Sequence, residues 1–202
     1  MGKVDLNKKM KENSLLKTAF EFFTTKGFSK TSITDIVNKA GVAKGTFYLY
    51  FKDKYDIRNK LVAHQSSQIF RTAIAELDDK LDSLSFEDRI IAIVDNIINQ
   101  LNENQILLNF ISKNLSWGVF KTAITTPSND DDINFMDVYN QMLSEAPYKI
   151  KNPEIMMFMI IELVSSTCYS AILYKEPCSL DELKPHLYDT IKAIIARQQA
   201  AS

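Results

Sequence analysis

The chain has 202 residues, 46% of them hydrophobic, which is enough apolar material for a compact body beyond a small N-terminal unit. Its 24 basic and 25 acidic side chains give a net charge of −1, which by itself points to no nucleic-acid partner. The two cysteines, Cys168 and Cys178, fall outside any C-x-x-C pattern and read as free thiols rather than a disulfide or a metal site.

Residues 1–13 are polar and lysine-rich without the apolar core of a secretory leader, so the chain is expected in the cytoplasm. Leu16, Ala19, Phe20 and Phe23 then recur at i, i+3, i+4 and i+7, the stripe of a first helix ended by Lys26-Gly27-Phe28. Ser32 stands as the N-cap of a second helix and Asp35 follows as a capping-box acid. Ile33, Ile36, Val37 and Ala40 form that helix's apolar face. Gly41 supplies the left-handed residue that ends it, and Val42 is turned inward as a plug.

The third helix, over residues 44–51, breaks local rules. Ala43 is a poor N-cap, Lys44 puts a cation at the positive end of the helix dipole, and Gly45 costs about 1 kcal/mol relative to alanine. A polyanion resolves all three: Lys44 meets a phosphate, Gly45 lets a backbone approach, and the N–H groups at the helix start favour negative charge. The alternative is an ordinary short surface helix with a solvated lysine. Helical geometry turns Phe47 and Phe51 to one side and Gly45, Thr46, Tyr48 and Leu49 to the other, so the phenylalanines are core. Tyr48 can donate to a phosphate and Thr46 can bond a base edge, while packing with a wet hydroxyl is the competing reading for Tyr48 and Tyr50.

Ser-Ile-Thr-Asp-Ile-Val, then Ala-Gly-Val-Ala-Lys-Gly-Thr-Phe-Tyr-Leu-Tyr-Phe, then Lys-Asp-Lys, resembles the DNA-binding domain of the TetR family of bacterial repressors, over about residues 10–62. The resemblance implies that Lys44, Gly45, Thr46, Tyr48 and Tyr50 are recognition-helix contacts. It likewise implies that Ser32 and Thr34 begin the supporting helix, and that Lys54 opens a fourth helix and holds phosphate. Ala43 departs from the serine that often caps the recognition helix in this family, which puts one backbone contact in doubt. Charge agrees with the motif's location: residues 1–60 hold 13 basic and 6 acidic side chains, a net of +7, leaving −8 for residues 61–202.

One long helix is expected over 53–81, linking the basic head to the acidic body, with Ile57, Leu61, Ile69, Ile74 and Leu77 roughly in phase. Another follows over 86–101 behind a Ser85 cap, and 106–121 gives one or two more. Residues 122–132 read as a loop; its Asp130, Asp131 and Asp132 lack calcium-loop spacing and are better placed as acids near a helix start than as a metal site. A helix over 133–143 leads to two more, over 153–174 and 180–199. The first of these is nearly long and apolar enough to span a membrane, but Glu162 near its centre opposes insertion by roughly 2.5–3.5 kcal/mol, and a helix buried on two sides has the same composition. In the TetR-like picture it faces both its own core and a partner subunit. The final helix, through Leu183, Leu187, Ile191, Ile194 and Ile195, then completes a four-helix dimer interface.

No catalytic spacing appears around His64 or His186, and the chain has no Gly-rich phosphate loop, G-x-S-x-G or H-E-x-x-H, so neither an enzyme nor a bound cofactor is expected. In the family picture the body binds a small, at least partly apolar effector. Phe110, Trp117, Phe120, Met136, Tyr139, Met142, Met156 and Met159 are the candidate lining, with plain core as the competing reading for each.

The expected architecture is therefore all-α, TetR-like: a three-helix helix-turn-helix head (residues 1–52, the motif itself about 33–52) and a helical ligand-binding and dimerisation domain (53–202). The expected function is a ligand-responsive repressor acting as a homodimer on a pseudo-palindromic DNA operator. A metabolite-binding helical enzyme and a protein-interaction module with a non-functional head are the alternatives.

Overall fold

The computed structural model describes residues 3–81, 83–114, 117–119, 121 and 135–200. In chain order the helices are α1 (Lys3–Thr25), α2 (Ile33–Ala40), α3 (Lys44–Tyr50), α4 (Lys54–Leu81), α5 (Phe86–Glu103), α6 (Gln105–Asn114), α7 (Phe135–Glu145), α8 (Pro153–Tyr174) and α9 (Leu180–Gln198). The expected loop over 122–132, with its three aspartates, lies outside the described residues.

Most helix ends are set by residues a few positions away. Ser32 and Asp35 form a full capping box at α2: Ser32 Oγ accepts from the Asp35 N–H at 3.0 Å, and the Ser32 N–H donates to Asp35 Oδ2 at 2.9 Å. These bonds hold the Asp35 carboxyl below its ordinary value, the Ser32 backbone N–H contributing most. Gly41 closes α2 in the left-handed region (φ 68°, ψ 33°), and Gly27 turns the chain after α1 at φ 88°. Ser85 caps α5, Pro153 opens α8 at a position where its missing N–H costs nothing, and Ser179 with Glu182 repeats the capping box at α9.

Two apolar cores result, and α4 belongs to both. The first gathers Leu15, Ala19, Phe22 and Phe23 of α1, Ile36 and Val37 of α2, Phe47 and Phe51 at α3, and Ile57, Leu61, Val62 and Ile69 of α4. Phe110 and Ile111 of α6 complete it, with Phe110 edge-on to Phe20 at 5.1 Å between centroids. The second core takes Phe70, Ala73 and Ile74 from the next turns of α4 and packs them with Leu108 of α6 and with α5, α7, α8 and α9. A short antiparallel bridge ends the described chain: Lys151 N–H donates to Gln198 O and Ala200 N–H to Lys149 O, both at 2.8 Å, tying the end of α9 to the start of α8.

α8 runs through the middle of the body. Met156, Met157, Ile160, Cys168, Ala171 and Ile172 are buried, whereas Ile155, Phe158, Met159, Glu162 and Ser166 are exposed, so its near-continuous apolarity serves two faces. Among the described residues it is the one helix long and apolar enough to cross a membrane. The apolar stripe of α9 behaves differently from the expectation. Leu187, Ile191 and Ile195 are 2%, 0% and 0% exposed inside their own core, so they cannot face a partner subunit. The outward side of α9 carries Asp181, Glu182, His186, Asp189 and Arg197 instead. A core-facing stripe and a dimer-facing stripe have the same period, and the packing of α9 on α8 and α5 separates them.

Candidate nucleic-acid interface and ligand cavity

α3 stands on the surface with its inner side anchored and its outer side bare. Phe47 and Phe51 are 0% and 1% exposed, while Tyr48 is 53% and Leu49 80% exposed. No side chain caps its N-terminus at Ala43, and Lys44 and Gly45 beside it are exposed, so backbone N–H groups and a cation face outward together. At Gly45 an added Cβ would meet nothing within 4 Å and the backbone is ordinary helix. Neither crowding nor strain among the described residues explains a glycine that costs about 1 kcal/mol of helix stability.

The other head residues frame that surface. Thr34 is exposed in the first turn of α2, while Ser32, also exposed, commits its hydroxyl to Asp35 Oδ2 at 2.7 Å. Thr46 and Tyr50 are half-buried, and the Tyr50 carbonyl at the end of α3 accepts from Lys60 Nζ at 2.8 Å. Asp53 Oδ1 accepts from the N–H groups of Tyr55 and Asp56 at 2.7 and 2.8 Å, which fixes where α4 begins.

Lys54 is placed differently from the other candidates. Its ammonium donates to Phe28 O at 2.7 Å and Thr31 O at 2.9 Å, and lies 4.3 Å from the centre of the Phe28 ring. Two of its three donors are therefore spent on the link between α1 and α2. Lys54 acts first as a brace holding α4 to the helix-turn-helix, a role with no local sequence signal because the acceptors are 23 and 26 residues away.

The body holds a partly open cavity of about 200 Å³ between α4, α5, α6, α7 and α8. Of the eight candidates from sequence, Tyr139, Met142 and Met156 line it. Phe110 lies in the head-side core, and Met136 packs partly buried against the body core away from the lining. Trp117 stacks edge-on to Phe158 at 5.1 Å, next to the outward side of α8. Met159 is 42% exposed because, at about 100° per residue, it falls opposite Met157 around the helix. Phe120 lies outside the described residues.

Much of the wall is instead made by branched aliphatics of α5 and α8, such as Ile93, Ile97 and Ile160, which in sequence are indistinguishable from ordinary core. No charged side chain is among the described lining residues. Burial pushes the Cys168 thiol up to about 11 and the Tyr139 phenol further, so both stay protonated at neutral pH. Tyr139 Oη already donates to Pro153 O at 2.7 Å. Ser66 Oγ, by contrast, is buried with no hydrogen-bond partner, a state that costs about 1–3 kcal/mol.

Comparison with known proteins fits both halves. Residues 15–61 match the family described as bacterial regulatory proteins, tetR family. The uncharacterized HTH-type transcriptional regulator YvdT of Bacillus subtilis is 46% identical over 63 residues, covering 29% of this chain and 32% of that protein. The fatty acid metabolism regulator protein of the same organism is 32% identical over 73 residues, covering 36% of this chain and 38% of that protein. The matched part thus spans well under two thirds of these relatives. Among solved structures, the transcriptional regulator FadR of Bacillus subtilis in complex with stearoyl-CoA superposes with a TM-score of 0.61 at 16% identity, over 88% of this chain and 96% of that one. A tetR family regulator from Shewanella sp. PV-4 gives 0.60 at 17% identity, over 95% and 99%. At such identities the structural likeness is one of fold, and it extends the resemblance from the head to the body. Residues 15–61 thus match the helix-turn-helix head of the tetR family, and the described helices as a whole share the fold of solved regulators of that family.

Proposed function

We propose that the protein is a ligand-responsive transcriptional regulator, a repressor that binds a pseudo-palindromic DNA operator as a homodimer in the cytoplasm. Residues 1–52 read the DNA and residues 53–202 bind effector and partner. The observation that carries this reading is α3: its inner phenylalanines are sealed while Lys44, Gly45, Tyr48 and Leu49 face outward with an uncapped helix start. Lys44 and the helix N-terminus are suited to phosphate, and Thr46 and Tyr48 to the groove beside it. Ser32, Thr34, Tyr50 and Lys54 flank that footprint.

Pairing through α8 is supported by its exposed apolar side, where Ile155 is 51%, Phe158 38% and Met159 42% exposed in the single chain. The outward side of α9 supplies the polar margin. The effector reading rests on the partly open apolar cavity between the helices that join head to body. The named relatives point to a lipid-like effector: one is a fatty acid metabolism regulator, and FadR was solved with stearoyl-CoA. An effector that binds one head spacing better than the other shifts the population away from the DNA-binding form.

The test is a salt titration of the full-length protein on the promoter region beside its own gene, with and without extracted lipids. Binding should fall steeply with salt and be relieved by a lipid fraction. Salt-independent binding, or none, would remove the regulator reading.

A further inference from the structure

The cavity's polar atoms are unevenly placed. Ser66 and Ser67 of α4 and Ser112 of α6 line it beside Ile69 and Ile111, which also belong to the head-side core, so these hydroxyls gather at the end nearest the head. The opposite region, with Phe135, Met142 and Ile90, is aliphatic and aromatic. The one polar side chain there, Tyr139, already donates to Pro153 O. Cys168 is a buried neutral thiol, and Ser165 Oγ leans toward Glu162 O at 3.4 Å. Ser66 Oγ is the buried hydroxyl left without a partner.

An ionised group brought into this space would find no cation among the described lining residues and would lose its hydration without compensation. A neutral group loses little and can take the vacant partnership of Ser66 by a small rotation of that side chain. Taking the cavity as the effector site, as proposed above, we infer that the part of the ligand it encloses is uncharged and elongated. Its single hydrogen-bonding group, of the alcohol, ester or amide class, is met by Ser66 at the junction of α4 and α6, and a free carboxylate is rejected. The ligand's polar group is then held between the two helices that carry both cores, which is where occupancy can be felt by the head.

The test uses the full-length protein and three probes of equal chain length below their aggregation limits: decan-1-ol, decanoate at pH 8, and decane. Affinities are read by calorimetry or by the shift in melting temperature, for the wild type and for Ser66→Ala. Decan-1-ol should bind the wild type at least tenfold more tightly than decanoate. Ser66→Ala should weaken decan-1-ol by about threefold to tenfold while leaving decane unchanged, as expected for loss of one neutral hydrogen bond. Circular dichroism of the variant verifies that it is folded. Decanoate binding as tightly as decan-1-ol, or a variant with unaltered preference for the alcohol over decane, overturns this inference and leaves the effector site standing. Failure of all three probes to bind overturns the effector-site reading and this inference with it.

Discussion

Replacing Lys54 by alanine should destabilise the head without changing the number of phosphate charges neutralised on DNA. The ammonium makes two charge-assisted hydrogen bonds, to Phe28 O at 2.7 Å and Thr31 O at 2.9 Å, and rests over the Phe28 ring. Such bonds are worth about 1.5–3 kcal/mol each when buried, and an exposed cation–π contact adds about 0.5–1 kcal/mol. The site is only half-buried, so solvent can take over part of the carbonyls' demand and the net loss should be about 2–3 kcal/mol. For a chain of this size that is about 4–12 °C in melting temperature. The assay pairs calorimetry of free protein with the slope of log affinity against log salt on operator DNA, run beside Lys44→Ala. Lys54→Ala should melt early with a slope close to wild type, and Lys54→Arg should recover part of the loss. A variant that melts like the wild type but loses about one unit of salt slope would show that Lys54 serves DNA and not the head.

Lys44→Ala should do the reverse: unchanged melting, a salt slope lower by about one unit, and weaker binding to most sequences alike, read by fluorescence anisotropy. Native protein should react with one equivalent of a thiol reagent at pH 8, at half-buried Cys178. Cys168, buried and pushed up to about 11, should stay protonated and silent; mass mapping of the labelled peptide distinguishes the two. Asp35→Asn should lower stability at pH 7, because the capping box holds the Asp35 carboxyl below its ordinary value. A depressed carboxylate stabilises above its unfolded pKa of about 3.9 and loses that contribution as pH falls through the lower folded value, so the gap between variant and wild type should narrow as the solution is acidified below the unfolded value in denaturant titrations.

Much of the head was readable because its instructions are local. Ser32 and Asp35 cap each other three residues apart, Gly41 ends what they begin, and four positions separate Phe47 from Phe51, so the outward side of α3 followed from helical period alone. The same held for α8, whose Pro153 start and Tyr174 end fall where residue type and apolar run expected them. What stayed hidden depends on residues far apart. Lys54 reads as a phosphate ligand until Phe28 and Thr31 are brought to it. Ile93 and Ile97 look like any buried isoleucines until a gap opens beside them, whereas the more conspicuous Trp117 and Met159 lie elsewhere. The stripe of α9 satisfies two destinations equally, and the packing of α8 and α5 against it selects one.

The sharing of α4 between two cores has a mechanical corollary. Its 28 residues form a rod about 42 Å long, gripped along successive turns by the two cores. Pivoting such a rod by about 5° carries its far tip about 3.5 Å, close to the 3.4 Å rise of one base step along a strand. A tilt of a few degrees at the body-side core would therefore displace the head-side core, and α3 packed on it, by a distance comparable to one base step.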